Sequence, residues 1–451
     1  MTSQSKTSTI KIDNKFLVKL IIPLVLEQLL AVSVGFVDTL MISTVGEYAI
    51  SGVALVDNIN RLVIQVLAAF ATGGLVVASQ YIGRGSKEES RECTGQLISL
   101  MLILTSLLAA FFIIFPRPIL TFIFSNVDDK VMDAAITYLL VTSFSYPFLA
   151  VYNSGSAIFR SFGNSNVSMK ISLIMNLINV LFNAIFVFGF NMGVLGVGLA
   201  TLISRIFACL IMTFYLNSNM NELRIKKISS FIPKSTYIGK ILKIGIPSGV
   251  ENGMFQVGKL MVVGMVATLG TSAIAANSVS YQIIDFPNLP ASSIGIALIT
   301  IIGQCMGAGD IKEAKTQIRK LMKWAYISDW ISKGLLFVFA PQIVGIFSMS
   351  QEASSQAVMV LRSFFIAAIL IWPLSFSLPN ALRAAGDVKF TMTISIASMW
   401  VCRILASYIL VFKLNMGLMG VWIGMYIDWY VRGISYVLRY LSNKWTSFKV
   451  I

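Results

Sequence analysis

Ile22-Pro23-Leu24-Val25-Leu26-Glu27 opens an apolar run that passes through Gly35-Phe36-Val37-Asp38-Thr39 and reaches Val45-Gly46-Glu47-Tyr48-Ala49-Ile50. Two carboxylates, Glu27 and Asp38, therefore lie inside a stretch that otherwise reads as a membrane span. A charge near the centre of a bilayer costs at least ~2.5 kcal/mol, so an ionisable residue there is a functional candidate by default. The opening recurs 224 positions later as Ile246-Pro247-Ser248-Gly249-Val250-Glu251.

Outward from that stretch, the chain of 451 residues is 56% hydrophobic and only 12% charged. A soluble globular chain carries about 25% charged residues, so this composition places the protein in lipid. The net charge is +15. In a soluble protein such a charge raises nucleic-acid binding; here the positive residues sit between apolar segments, where they set orientation, and no nucleic-acid partner is expected. The four cysteines, Cys93, Cys209, Cys305 and Cys402, are scattered without CxxC spacing, which argues against a disulfide framework or a zinc site. There is no histidine. Histidine-based catalysis, haem ligation and histidine proton relays fall away, and carboxylates are left as the natural proton carriers. No enzymatic activity, metal site or cofactor is expected. No short cleavable apolar segment follows the polar residues up to Lys19, so the first apolar run reads as a true span.

A helical span needs about 20 mostly apolar residues. Twelve such segments are predicted, at 16–42, 53–81, 94–115, 132–152, 168–190, 194–216, 241–268, 276–303, 318–340, 357–379, 389–412 and 416–441. A β-barrel would require short alternating segments instead. Lys and Arg gather on the N-terminal tail and the even-numbered connections, whereas Arg117, Lys130, Arg362 and Lys413 stand on the other side. The positive-inside bias then puts both termini in the cytoplasm, with the protein crossing the inner membrane many times.

The recurrence extends well beyond the first span. Val45-Gly46-Glu47-Tyr48-Ala49-Ile50 matches Leu269-Gly270-Thr271-Ser272-Ala273-Ile274, and Gln80-Tyr81-Ile82-Gly83-Arg84-Gly85 matches Gln304-Cys305-Met306-Gly307-Ala308-Gly309, both at an offset of 224. Asn191-Met192-Gly193 matches Asn415-Met416-Gly417 at the same offset, and Arg160-Ser161-Phe162-Gly163-Asn164 matches Arg383-Ala384-Ala385-Gly386-Asp387 at 223. Because each half holds an even number of spans, both insert in the same sense, related by a pseudo-twofold axis along the membrane normal. The expected organisation is an N-lobe over 1–216, a cytoplasmic linker over 217–240 and a C-lobe over 241–451. The fold class is an all-α membrane protein with twelve transmembrane helices in two six-helix lobes. No GxxxxGK[ST] motif or ATPase-sized soluble domain is present, which argues against an ATP-driven pump.

These residues resemble the multidrug and toxic compound extrusion (MATE) family, in its bacterial branches. The resemblance covers nearly the whole chain. It rests on the proline-opened first and seventh spans, Val37-Asp38-Thr39, the paired motifs ending at Gly85 and Gly309, the Arg160 and Arg383 motifs, and Asn179…Asn183-Ala184-Ile185-Phe186-Val187-Phe188-Gly189. It implies a secondary antiporter that exports organic cations or drugs in exchange for H⁺ or Na⁺. By the same resemblance, Asp38 matches the ion-coupling aspartate of the N-lobe. Trp372 stands where some bacterial members carry a sodium-linked aspartate, which favours H⁺ over Na⁺. Glu251 comes one turn after Pro247, earlier than the acidic residue common in the family's seventh span.

Read from the residues alone, Asp38 lies mid-span among apolar neighbours, placed to bind and release a proton. Asn179 and Asn183, four apart, share a helix face and can sense its charge; Asn176 precedes them on the same helix. The structural alternative is that these amides tie helices together, at ~0.6–2 kcal/mol each. Glu27 lies eleven residues before Asp38, close to three helical turns, and reads either as functional or as paired near the interface. In the C-terminal half, Glu251, Lys259, Asp285 and Arg403 form a substrate site or a structural charge network, with Asp285 able to neutralise one of the cations and Glu251 able to pair with Lys259. Pro287 with Pro290, and Pro373 with Pro379, are expected to break spans eight and ten. Expected partners are small organic cations and the lipid bilayer, with the protein acting as a monomer. Two other readings stand: a lipid-linked oligosaccharide or lipid flippase of the same superfamily, and a non-transporting receptor or scaffold.

Overall fold

A computed structural model describes residues 12–124, 127–218 and 228–451. The polar N-terminal residues, including Lys6 and Lys11, and the middle of the 217–240 connection, with Arg224, Lys226 and Lys227, lie outside the described residues. Among the described residues there is no strand. Twelve long helical segments appear, one for each predicted span. The first six are α1 (Asn14–Ser43), α2 (Glu47–Gly83), α3 (Lys87–Ile114), α4 (Asp129–Ser161), α5 (Ser165–Gly189) and α6 (Gly193–Asn217). The second six are α7 (Ser235–Ala267), α8 (Thr271–Gly307), α9 (Ile311–Gly345), α10 (Gln351–Ala385), α11 (Val388–Phe412) and α12 (Gly417–Leu441). Nine of the twelve are long and apolar enough to cross a bilayer by length and composition. The other three, α7, α9 and α12, carry internal charged residues, among them Glu251 and Lys259, Asp329 and Lys333, and Asp428 and Arg432. Large apolar side chains such as Leu107, Leu177, Phe214, Ile331 and Leu438 are exposed, as a surface facing lipid requires.

The repeat is written into the backbone at its turns. Gly46 and Gly270, Gly85 and Gly309, Gly163 and Gly386, and Gly193 and Gly417 all have positive φ. Asn191 and Asn415 both sit at φ 51°. Asparagine is among the few non-glycine residues that tolerate this left-handed region, so the two halves close corresponding turns with the same chemistry.

The prolines behave differently from expectation in α8. That helix runs unbroken from Thr271 to Gly307 through Pro287 and Pro290. Neighbouring hydroxyls engage its carbonyls in that region: Ser332 Oγ donates to Pro287 O at 2.8 Å and Ser377 Oγ to Ala291 O at 2.9 Å. The carbonyls that the two prolines leave without an intrahelical donor are those of Ile283 and Phe286, so these hydroxyls fasten the helix downstream of the freed groups. α10 does break, at Ser377, between Pro373 and Pro379.

The chain forms two compact units, residues 12–249 and 250–451. In the first, α1 packs on α5, α2 and α3 on α4, and α4 on α6; in the second, α8 packs on α9 and α10, and α10 and α11 on α12. The border falls inside α7, so its first turns belong with the first unit. A Cβ on Gly73 of α2 would sit 2.6 Å from the Ile241 carbonyl, and one on Gly245 would sit 2.7 Å from the Phe70 ring. Only the missing side chains permit so close an approach of α2 and α7.

The described end of the connection, residues 228–234, is fastened to α3. Gln96 Nε2 donates to Ser230 O at 2.8 Å and to Ile232 O at 2.7 Å, and Gln96 Oε1 accepts from the Lys234 amide at 2.6 Å. Ser99 Oγ donates to Phe231 O at 2.7 Å, and Glu92 receives both Ser230 Oγ and the Lys234 ammonium. Glu92, Gln96 and Ser99 follow i, i+4, i+7 spacing, one face of a helix. Replacing Gln96 by Leu leaves the buried Ser230 carbonyl unpaired, at about 1–3 kcal/mol, and takes a partner from the more exposed Ile232 carbonyl and Lys234 amide. Gln96→Leu is expected to lower the thermal midpoint in detergent and to speed tryptic cleavage after Lys234. Gly334→Ala, at a helical site where a Cβ meets nothing within 4 Å, should leave both unchanged.

Candidate functional site

In the first unit, α1 and α5 bring Asp38 and two asparagines together. Asn183 Nδ2 donates to Asp38 Oδ1 at 2.7 Å and also lies 3.2 Å from Asn179 Oδ1. Asn179 Nδ2 reaches Thr201 Oγ1 on α6 at 3.5 Å. Asn183 is fully buried, and its Oδ1 has no hydrogen-bond partner among the described residues. The amide can thus serve a carboxylate through its nitrogen and a protonated acid through its oxygen. Asn176 is buried as well, but its Nδ2 finds no partner and no hydrogen bond joins it to Asp38 among the described residues.

Asp38 has further neighbours that the sequence reading did not single out. Asp57 on α2 and Arg205 on α6 both lie within electrostatic reach of its carboxylate. Asp57 accepts from Asn60 Nδ2 at 3.4 Å, and Asn60 Oδ1 in turn accepts from Tyr146 OH at 2.6 Å. Arg205 Nη1 donates to Ser145 Oγ at 2.6 Å, while Tyr138, Tyr146, Asp57 and Asp38 surround it electrostatically. Neither Asp38 nor Asp57 forms an ion pair within 4.0 Å among the described residues. The signal for Arg205 was present in the sequence: it is an arginine well inside an apolar run. Asp57 lies near a span end, among Asn58, Asn60 and Arg61, and reads there as interfacial.

Glu27 has a different setting. Its Oε1 meets Arg160 Nη2 at 2.6 Å and accepts from Tyr152 OH at 3.0 Å, while its Oε2 accepts from Ser168 Oγ at 3.1 Å. Its repeat partner behaves alike, since Glu251 Oε1 meets Arg383 Nη2 at 2.6 Å and Arg383 Nη1 donates to Asn380 Oδ1 at 2.9 Å. Glu251 is therefore held by Arg383 and not by Lys259. Both acids and both arginines belong to motifs that the repeat had already aligned, so the two ion pairs are one feature built twice.

The charges of the second unit also regroup. Arg403 on α11 is paired with Asp428 on α12, with Nη2 at 2.6 Å and Nε at 3.0 Å from Oδ2. Arg432 shares that oxygen at 3.5 Å. Lys259 lies over the Phe255 ring at 5.8 Å. Asp285, with Arg403, is within electrostatic reach of Tyr281. Asp329 and Lys333 on α9 form a buried pair at 2.6 Å, and the ammonium stacks on Trp372 at 4.1 Å. The position expected to lack an aspartate thus holds one wall of a neutral, dry pair.

The MatE family model matches this chain twice, over residues 23–185 and 247–409. The two matches stand 224 residues apart, the repeat offset. The uncharacterized transporter YisQ of Bacillus subtilis (strain 168) is 28% identical over 430 residues, 94% of this chain and 93% of that protein. A protein described as probable multidrug resistance protein NorM, from Thermotoga maritima, is 27% identical over 449 residues, 97% of this chain and 94% of that protein. A MATE structure in the bent conformation superposes with a TM-score of 0.87 at 20% identity, covering 95% of this chain and 94% of that one. An MOP-superfamily transporter from Pyrococcus furiosus, described for the reverse polarity of its binding pocket, gives 0.87 at 20% identity, covering 96% and 97%. At such identity the structures speak to the fold; the family matches over both halves speak to descent. The chain belongs to the MatE family and is a multi-pass membrane transporter, not an enzyme.

Proposed function

We propose that this protein is a secondary antiporter of the inner membrane, acting as a monomer with both termini in the cytoplasm, that exports small organic cations or drugs in exchange for H⁺. Asp38 carries the coupling ion, and Asn183 and Asn179 read its charge. The observation that carries this reading is a charge count. Glu27, Glu251, Asp329 and Asp428 each face a cation at 2.6 Å. Asp38 and Asp57 share the field of Arg205 instead. With all three ionised, that group is one positive charge short. A proton or an organic cation supplies the missing charge, and competition between them for one carboxylate couples their movements in opposite directions. Arg61 also acts on Asp57, ahead of Arg205, so the shortfall falls on Asp38, which has a second carboxylate and a single arginine in electrostatic reach.

The coupling ion in this reading is the proton, as Trp372 suggests by resemblance. Asn183 turns its NH₂ group to Asp38, as an amide does to a carboxylate. Proton arrival exchanges the acceptor for a donor and offers Asn183 Oδ1 a partner. That switch between two hydrogen-bonded arrangements of α1 and α5 is the element on which alternating access would turn.

In inside-out vesicles, an imposed pH gradient is expected to drive transport of a fluorescent organic cation in the wild type, and an Na⁺ gradient alone is not. Asp38→Asn should abolish the pH-driven component while membrane levels stay normal; full pH-driven transport in this variant would overturn the assignment. Asn183→Leu removes a hydrogen bond to a charged group worth ~1.5–3 kcal/mol. It should lower the coupled rate by about tenfold or more, at about 1.4 kcal/mol per decade, with smaller effects from Asn176→Leu. Arg205→Gln adds to the charge deficit and should change the pH dependence of transport without loss of folded protein. Invariance of that profile would remove Arg205 from the site.

A further inference from the structure

In the second unit, most paired carboxylates face one cation. Glu251 faces Arg383, Asp329 faces Lys333 and Asp387 faces Arg439, each at 2.6 Å. Asp428 faces two, because Arg403 and Arg432 both address its Oδ2. Both guanidiniums are only 3% exposed, so solvent does not screen the surplus. The Nε of Arg432 is buried and has no hydrogen-bond partner among the described residues. Around the same place, the Phe255 ring collects three cationic heads: Arg403 at 4.8 Å, Arg432 at 5.3 Å and Lys259 at 5.8 Å from its centroid. An aromatic face attracts cations but does not neutralise them. Lys259 is exposed, so the group runs from an accessible ammonium to a buried guanidinium with an unused donor. Whatever Asp285 contributes to Lys259, the Arg403–Asp428–Arg432 group keeps one net positive charge.

We propose that this cluster is a subsite for an anionic group of the transported molecule, so that among cationic substrates the zwitterions, which carry an acid group as well, are preferred over simple cations. The proposal rests on the transport reading above. A guanidinium edge made of Nε and an η nitrogen is the two-donor fork that a carboxylate or similar oxyanion takes in bidentate fashion. Arg432 offers such an edge, with Nε unspent and Nη2 only weakly held by Asp428. At the equivalent places of the first unit, at an offset of 224, stand Asn179, Ser204 and Ala208. The cationic cluster is therefore an addition to the shared scaffold and not a demand of the fold.

The test compares two dyes with one ring system: rhodamine 19, which carries a free carboxylate, and rhodamine 6G, its ethyl ester and a pure cation. Binding of each to the purified full chain is followed by fluorescence polarisation in phosphatidylcholine nanodiscs, with no ion gradient. The wild type is expected to bind the acid about tenfold tighter than the ester, as a bidentate charge-assisted pair allows. Arg432→Gln should bring the acid down to the ester's affinity while the ester changes by less than about twofold, the size of a lost surface-like contact. Arg432→Lys, which keeps the charge, should retain part of the preference, and Asp428→Asn, which releases both arginines, should strengthen it. Equal binding of the two dyes by the wild type, or an equal loss of both in Arg432→Gln with an unchanged melting profile, would overturn the subsite. An Arg432-dependent loss of the preference on adding phosphatidylglycerol would assign the cluster to a lipid headgroup and overturn the substrate claim. The pH-driven transport of rhodamine 6G, measured alongside, keeps the two readings apart. Asp38-dependent transport without acid preference rejects the subsite alone, and acid preference without pH-driven transport rejects the antiport reading alone.

Discussion

Glu27 meets Arg160 at 2.6 Å, and Glu251 meets Arg383 at 2.6 Å. Each pair ties the first helix of a half to its fourth, α1 to α4 and α7 to α10. A buried ion pair contributes little net stability against a well-packed apolar substitute, but removal of one partner strands a buried charge at about 3–5 kcal/mol. Such a pair acts on specificity: it penalises every register of the two helices that separates the acid from the arginine. Charge matching inside the bundle is thus the rule that the remaining architecture must obey, and its exceptions are where function has room.

That rule gives the exceptions their weight. Asp38 has Asp57 and a single cation, Arg205, in electrostatic reach, Asp57 having Arg61 beside it as well, while the Arg403, Asp428 and Arg432 group sets two cations on one acid. Both groups sit within membrane helices, and in neither is one acid met by one close cation. Asp329 and Lys333 show the contrary case. They balance one for one, set one turn apart on α9, and the ammonium faces Trp372 and Phe364.

Much of this was legible before any coordinates, for reasons that can be named. Helix number followed from apolar run length, and the duplication followed from turn residues whose backbone needs admit few substitutes, such as Asn191 with Asn415. The link from Asp38 to Asn183 followed from a lone mid-span acid and from the i, i+4 spacing of Asn179 and Asn183. Partnerships between helices distant in sequence were harder. Glu27 and Arg160 stood in plain view as separate repeat motifs, but helical periodicity says which face a residue occupies and not which neighbour that face meets. Arg205, Asp428 and Arg432 are harder to read for another reason: Lys and Arg in a membrane chain mark topology first, and which group neutralises an arginine inside a span is set by a neighbouring helix. Pro287 and Pro290 do not end α8, because a proline's local effect decides a helix end only where the surrounding packing does not hold the helix together.

The duplication turns these local facts into an argument about how chemistry diverged on a fixed frame. Features that hold the backbone recur in both halves: the positive-φ turns, the proline-opened first helices and the glutamate–arginine pairs. Mid-helix positions differ. Val262, Tyr281 and Trp429 stand in the second half where the first has Asp38, Asp57 and Arg205, and the second half's Arg403, Asp428 and Arg432 replace Asn179, Ser204 and Ala208. At Asn179 and Arg403 the exchange touches a single equivalent site, where one half places a neutral amide next to a titratable acid and the other a permanent cation. A guanidinium does not release its proton in the accessible pH range, so the second half cannot run the first half's chemistry at that site. The division is one of charge: one half places titratable acids at its mid-helix positions, and the other places guanidiniums there that keep their charge.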